Sequence, residues 1–298
     1  KSTLSLHLGV NVMRQIEEHP KVLIIDLDPQ CNLSYLALGV SGYVNAVYNK
    51  SQKTLKDIFD AYFQGAPFQT SAAIIKQPIN ASAGNVWTNV DVLPSHHELV
   101  LIDMRLARER KSGTTHQEET QFELDKLSII HNAIQQVATE YDYVILDCPP
   151  NINLVTQNAF FASQAYFIPA IPDFLSTVGI SLIKQEMEKM NKNFKGMIDY
   201  AGTDVDYSDT ELKGIIFNMV IEYGGGPKDT HDNTITSVDN SHPGMVFEPY
   251  VTIGDGISRA ADNNLTVFSH KELPKGRQNA QKHAGQLDLI TREFVSRI

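Results

Sequence analysis

Three groups of residues in this chain have the types and spacing to bind phosphate and a divalent cation. The chain begins Lys1-Ser2-Thr3 and runs directly into an apolar pattern of helical period. A lysine can reach the outer phosphates of a nucleotide, and a hydroxyl beside it can ligate Mg2+. Both do so when they stand at the head of a helix, whose unpaired N–H groups favour anions. The second group, VLIIDLDPQCN, places Asp26 and Asp28 at the end of an apolar run, and the third, YVILDCPP, does the same for Asp147. Ligands of open α/β sheets sit beyond the carboxyl ends of the strands. A strand-terminal Asp there can orient Mg2+ and its water shell. One Asp at a strand end is often only a helix cap; the order and spacing of the three groups together carry the case.

Such residues need a sheet to hold them. Short apolar runs bounded by turn signals are expected as buried strands at 21–28, 89–95, 141–150, 165–171, 213–221 and 245–251. Helical period is expected over Thr3–Glu18, Phe122–Glu140 and Ser176–Asn191. Near-continuous apolar strands alternating with helices predict an α/β fold, a mostly parallel sheet with helices on both faces. Residues 41–88 hold one helical piece, TLKDIFDAYFQG, and a polar connection. The stretch 108–120 reads as a mobile connector, and 223–244, rich in Gly, Pro, Asn, Asp and Ser, as a long loop. The expected organisation is a single domain over 1–298 with insertions near those three stretches.

Bulk composition narrows the class. At 298 residues, 42% hydrophobic and 20% charged, the chain has ample material for a buried core. No apolar run approaches the ~20 residues of a membrane span. Two cysteines, Cys31 and Cys148, are too few for a disulfide framework, so a reducing, cytoplasmic setting is expected. The formal charge of −10 argues against a protein that coats nucleic acid, while leaving room for a local basic patch. From Ile257 to the end, seven basic residues face four acidic ones, a local excess of +3.

The stretches DLDPQCNLS and YDYVILDCPPNINLVTQNAFFASQAYFIPAIPDFLSTVGI resemble the deviant Walker-box ATPases of the ParA, MinD and Soj group. The ParA branch is the nearest match, through its "DxDPQGN" and "YDxxxxDxPPxxxxxxxNA" patterns and its "LPS" strand. The resemblance runs from Lys1 to about Leu106, resumes at Phe122 and returns near VFEPYVTIGDGISRA. It implies a P-loop fold and slow, Mg2+-dependent ATP hydrolysis. It further implies ATP-dependent homodimers, non-specific DNA binding on the nucleoid and a ParB-like or adaptor partner that stimulates hydrolysis. The biological task so implied is to position or partition a plasmid, chromosome or other large cargo. On this resemblance Lys1-Ser2-Thr3 ends a "KGGxGKST" motif, and a first strand, a Gly-rich loop and a further lysine are expected upstream.

Carried over by position, the resemblance gives Lys1 the β- and γ-phosphates, Ser2 the Mg2+ and Thr3 the helix head toward the α-phosphate. Asp28 positions or activates the attacking water, Asp26 supports the Mg2+ shell, and Asp147 is the Walker B acid. Asn218, Tyr250 and Thr252 fall where the family holds adenine. Arg259, Lys271, Lys275, Arg277 and Lys282 are the candidate DNA contacts. Three positions depart from the pattern: Cys31 stands for Gly, Asn151 for Ser and Thr252 for Pro.

Three rival readings fit the sequence less well, and of these the membrane-surface one is the alternative while the electron-transfer one is rejected. A MinD-like membrane-surface ATPase needs a C-terminal amphipathic helix. QLDLITREFVSRI does put Leu287, Ile290, Phe294 and Ile298 on one face, but it is short of basic and bulky residues and is expected to dock on the sheet. An electron-transfer ATPase needs cysteines that bridge an iron–sulfur cluster, and Cys31 and Cys148 lie instead beside the two aspartate motifs. A nucleotide-binding scaffold without turnover is opposed by the intact Asp28.

Overall fold

The run VLIID is buried at every residue, as a strand covered on both faces must be. It forms β1 (Val22–Asp26) in a computed structural model that describes residues 1–81, 84–270 and 277–298. Around it in chain order lie α1 (Ser2–Gln15), α2 (Asn32–Leu38), α3 (Val40–Val44), α4 (Leu55–Gln64), β2 (Val90–Leu93), α5 (Leu99–Arg108), α6 (His116–Leu127), α7 (Ile129–Gln135) and β3 (Tyr143–Asp147). The chain continues through α8 (Leu154–Phe161), β4 (Ala165–Ala170), α9 (Phe174–Ala201), β5 (Glu211–Phe217) and a hairpin of β6 (Glu222–Tyr223) and β7 (Gly226–Pro227). It closes with α10 (Asp229–Ser241), α11 (Gly256–Asp262), α12 (Val267–His270) and α13 (Arg277–Ser296).

β1 pairs in parallel with β2 and with β3, in the order β2-β1-β3, and β4 pairs in parallel with β5. Helix α1 covers one face. Its Leu4, Leu8 and Val12 share a core with Val22 and Ile24 of β1, Ile216 of β5, and Leu287, Ile290 and Phe294 of α13. That core joins the two groups of strands. The close approach of α1 depends on Gly9, where a Cβ would stand 2.5 Å from Ile24 Cδ1. On the other face, Leu23 and Ile25 pack with Ile58, Phe59, Ile102 and Ile130 of α4, α5 and α7. Ile180, Met187 and Phe194 of α9 pack with Ile168 of β4 and Ile215 and Phe217 of β5. The expected layered, parallel α/β architecture is therefore present.

Several local expectations are corrected. The segment 245–251 is no regular strand; it meets β5 through one parallel bridge, Ile215 to Val246, and scattered backbone bonds, and a second bridge joins Val220 to Thr252 just beyond both. Pro249 has no N–H to give to a ladder, and the Glu248 N–H donates to Glu293 Oε2 at 3.2 Å. The connector at 108–120 is partly helical. Thr115 caps α6 by accepting the Glu118 N–H at 3.2 Å, and the helix expected over 122–140 breaks at Ser128 into α6 and α7. The long loop at 223–244 is the β6–β7 hairpin followed by α10. Asp229 and Asp232 lie in the first turn of α10, where the helix dipole favours acids, and Ile235 and Val238 pack on the core around α9. The C-terminal helix is docked: Leu287, Ile290 and Phe294 are buried, whereas Ile298 is half exposed. No described helix is long and apolar enough to cross a membrane.

Candidate nucleotide site

The parallel register of β1 and β3 sets Asp26 directly beside Asp147, so both carboxyl groups leave the sheet at the same level. Helix α1 starts at this edge. Ser5 Oγ, one turn into α1, donates to Asp147 Oδ1 at 2.9 Å, and Lys1 Nζ lies 3.5 Å from the Cys148 carbonyl. Asp147 is buried, and its Oδ2 has no hydrogen-bond partner among the described residues. Burial pushes the Asp147 carboxyl up, and the neighbouring Ser2 and Ser5 hydroxyls and the charge of Lys1 pull it back. Burial likewise lowers the Lys1 ammonium, against the pull of Asp147 and Asp28. A buried carboxylate oxygen without a donor, facing a helix head that carries a serine and a lysine, suits a hydrated divalent cation. No group of three or more His, Cys, Asp or Glu among the described residues forms a metal cage. Mg2+ fits that shortage, because it keeps several waters and takes much of its coordination from substrate phosphates.

Asp26 and Asp28, two residues apart, do different work. Asp26 is fully buried and spends both oxygens on the loop that follows it. Oδ1 accepts the Asp28 N–H at 3.1 Å, and Oδ2 accepts the Ser34 N–H at 2.9 Å and the Ser34 hydroxyl at 2.7 Å. Burial raises its carboxyl to about 7 in spite of those donors, and Asp147 adds to the shift. Asp28 uses only Oδ1, which accepts the Gln30 N–H at 2.9 Å. Its backbone carbonyl accepts the Cys31 N–H at 2.8 Å and closes a tight turn. Cys31 ends that turn in the left-handed region at φ 57, a conformation that glycine adopts freely and other residues rarely. That explains the glycine of the resemblance at this position, and the packing of Cys31 against Tyr43 and Val47 accompanies its replacement here.

A cavity of about 750 Å3 opens at the head of α1, lined by Lys1, Ser2 and Thr3 with residues of α2, α3 and the end of α11. Lys1 and Ser2 line it, and Asp26, Asp28 and Asp147 stand at the same sheet edge without lining it. Asn218, Tyr250 and Thr252 do not line that cavity and form a second group at the end of β5. The Asn218 N–H donates to the Ala170 carbonyl at 2.8 Å, and Thr252 bridges Val220. Tyr250 Oη donates to Glu222 Oε1 at 3.0 Å. Thr252, unlike a proline, has an N–H to satisfy; it and the threonine hydroxyl both donate to Gln286 Oε1, at 3.1 and 3.2 Å.

The basic candidates are less open than their sequence implies. Lys282 pairs with Glu222 at 2.5 Å and Arg259 with Asp255 at 2.6 Å. Lys271 and Lys275 lie outside the described residues, and Arg277 begins α13. Sequence reasoning gave no role to Ser5, Ser34, Ser95 or Gln286. Ser34 and Ser95 close the DLDPQCNLS and LPS stretches and Ser5 follows Ser2 by three residues on one helix face, so these three carried a signal, whereas Gln286 carried none.

A family model described as an AAA domain matches residues 1–200. The virulence plasmid ParA family protein pGP5-D of Chlamydia psittaci is 29% identical, over 65% of this chain and 60% of its own length. The chromosome partitioning protein ParA of Caulobacter vibrioides is 24% identical, over 68% and 62%. The chain thus spans about three fifths of the length of the curated relatives it matches. Among solved structures, a variant of McdA from Cyanothece in complex with ATP superposes with a TM-score of 0.65 at 17% identity, covering 96% of this chain and 90% of that one. At that identity the likeness speaks for the fold, which is the one described above. Taken with the geometry at the sheet edge, the match over residues 1–200 places the chain in the AAA-domain family, among its ParA-type P-loop ATPases.

Proposed function

We propose that this chain binds Mg-ATP at the head of α1, hydrolyses it slowly, and uses the cycle to position a large cargo. The observation that carries the reading is the buried Asp147 Oδ2, which has no hydrogen-bond partner among the described residues, beside a helix head bearing Lys1 and Ser2. Lys1 would leave its long contact with the Cys148 carbonyl for the β- and γ-phosphates, and Ser2 with Asp147 would hold the cation and its waters. Mg2+ bound there would neutralise charge on the phosphates. Asp28, whose Oδ2 takes no hydrogen bond from the described residues, would orient the attacking water. Phosphoryl transfer to water is mostly positioning and charge neutralisation, so these few groups suffice for a slow enzyme. Asp26 serves the site at one remove, by fixing the loop that carries Asp28. Asn218, Tyr250 and Thr252 would border the base.

The remaining parts of the reading are an ATP-dependent homodimer, non-specific DNA as the surface on which it works, and a ParB-like or adaptor partner that stimulates turnover. They follow from the ParA resemblance, and the relatives that the chain matches include a plasmid ParA family protein and a chromosome partitioning protein. A membrane-surface role is disfavoured because the apolar side of α13 is occupied in the core. The test is Asp28→Ala, followed by phosphate release and by nucleotide binding. Turnover should fall by about a hundredfold or more, with Mg-ATP affinity kept within about threefold. Undiminished turnover would show that another carboxylate handles the water.

A further inference from the structure

Ser95 follows β2 at the same sheet edge and is completely buried. Each of its three polar groups holds a different part of the site. Its hydroxyl donates to the Asp28 carbonyl at 2.7 Å, its N–H donates to Ser34 Oγ at 3.0 Å, and its carbonyl accepts from Tyr43 Oη at 2.9 Å. The Asp28–Cys31 turn is closed by its own backbone bond to that same Asp28 carbonyl. The Ser95 hydroxyl therefore ties the Asp28 carbonyl to the neighbouring strand, while Asp26 Oδ1 holds the Asp28 N–H. Ser34 completes the frame, because it binds Asp26 on one side and Ser95 on the other.

We propose that Ser95 is a positioning residue for Asp28, holding its carboxylate at the angle from which it orients water. The proposal rests on the role given to Asp28 above. Removing the hydroxyl leaves both backbone bonds of Ser95 in place and leaves the Asp26–Ser34 anchor intact, so the turn persists with one restraint fewer. With that restraint gone the Asp28 carbonyl keeps only the Cys31 N–H, the carboxylate is held less closely, and small misplacements of a reacting group are costly in rate. Nothing in Ser95 reaches the head of α1, so nucleotide affinity should be untouched.

The experiment compares unmodified protein, Ser95→Ala, Ser95→Thr and Asp28→Ala for steady-state ATP turnover, nucleotide binding and thermal unfolding. Ser95→Ala should lower kcat by about tenfold while KM stays within about twofold. Ser95→Thr, which keeps the hydroxyl, should bring kcat back to within about threefold of the unmodified rate. A Ser95→Ala rate equal to the unmodified one, beside an inactive Asp28→Ala, would overturn this proposal alone. A rate that falls only in step with the folded fraction would do the same, by reducing Ser95 to a structural residue. If the unmodified protein neither binds nor hydrolyses ATP, the reading of the site fails and this proposal falls with it.

Discussion

Asp26 and Asp28 show how two identical side chains in one short motif acquire separate duties. Three buried donors converge on Asp26, namely the Asp28 N–H, the Ser34 N–H and the Ser34 hydroxyl, whereas Asp28 receives one. Asp26→Ala should therefore leave buried donors unmatched and lower unfolding stability by about 3 kcal/mol, and Asp28→Ala by less than about 1 kcal/mol, in urea titrations. Equal losses would contradict the division. The DLD spacing located both carboxylates in the sequence, but their roles depend on Ser34 and Ser95, which reach the loop only through the fold. His7 makes a second residue-scale prediction. It is buried between Thr3, whose carbonyl its Nδ1 meets at 2.7 Å, and Val267, whose N–H donates to its Nε2 at 3.1 Å. Burial lowers its pKa to about 4, against the bond to Thr3 and helped by nearby His283. Between its ordinary value of 6.5 and about 4, the unfolded chain takes up a proton that the folded chain refuses. This contribution is whole above that window and is lost as pH falls through it, by about 3 kcal/mol in total. His7→Gln should flatten acid destabilisation between those limits, measured by urea midpoints at several pH values; an unchanged slope would show that His7 protonates without cost.

At the scale of elements, what the sequence made legible was what local periodicity controls. The buried run of β1, the apolar run of β3 and the long apolar stripe of α9 could be read directly, since each follows from its own local pattern. The ends were not. Helix α9 runs on to Ala201 and stops at Gly202, whose φ of 66 suits a glycine C-cap, and α10 forms in a stretch whose composition alone reads as loop. Residues 245–251 have a strand's composition and lie against β5, but Pro249 and the Glu248–Glu293 bond deny them a ladder. Their packing is tight nonetheless. A Cβ on Gly214 of β5 would meet Phe247 Cε2 at 2.1 Å and Phe167 Cδ1 at 3.2 Å. Gly214→Ala should therefore force the Phe247 ring out of place and destabilise the chain by about 1–3 kcal/mol in urea unfolding. An unchanged midpoint would mean that the segment yields freely, and that the region carrying Tyr250 and Thr252 is only loosely set.

For the whole molecule, a charge of −10 and the ion pairs on Arg259 and Lys282 leave little free basic surface on the described part of the C-terminal segment. DNA affinity, if the proposed role holds, should need ATP, ignore sequence and fall steeply with added salt, as counterion release requires. Replacing Lys275 and Arg277 together with Ala should weaken it evenly across sequences and reduce the salt slope, in titrations with ATP, with ADP and without nucleotide at two salt concentrations. No binding with ATP at low salt would remove DNA from the account while leaving the nucleotide site standing. That site is the central claim, and a crystal structure with Mg2+ and a non-hydrolysable ATP analogue tests it most directly. The β- and γ-phosphates should lie at Lys1 and Mg2+ on Ser2, with Asp147 Oδ2 facing the water shell of the metal and Asp28 toward the γ-phosphate. A triphosphate bound elsewhere, with Asp147 Oδ2 still unpartnered, would contradict it.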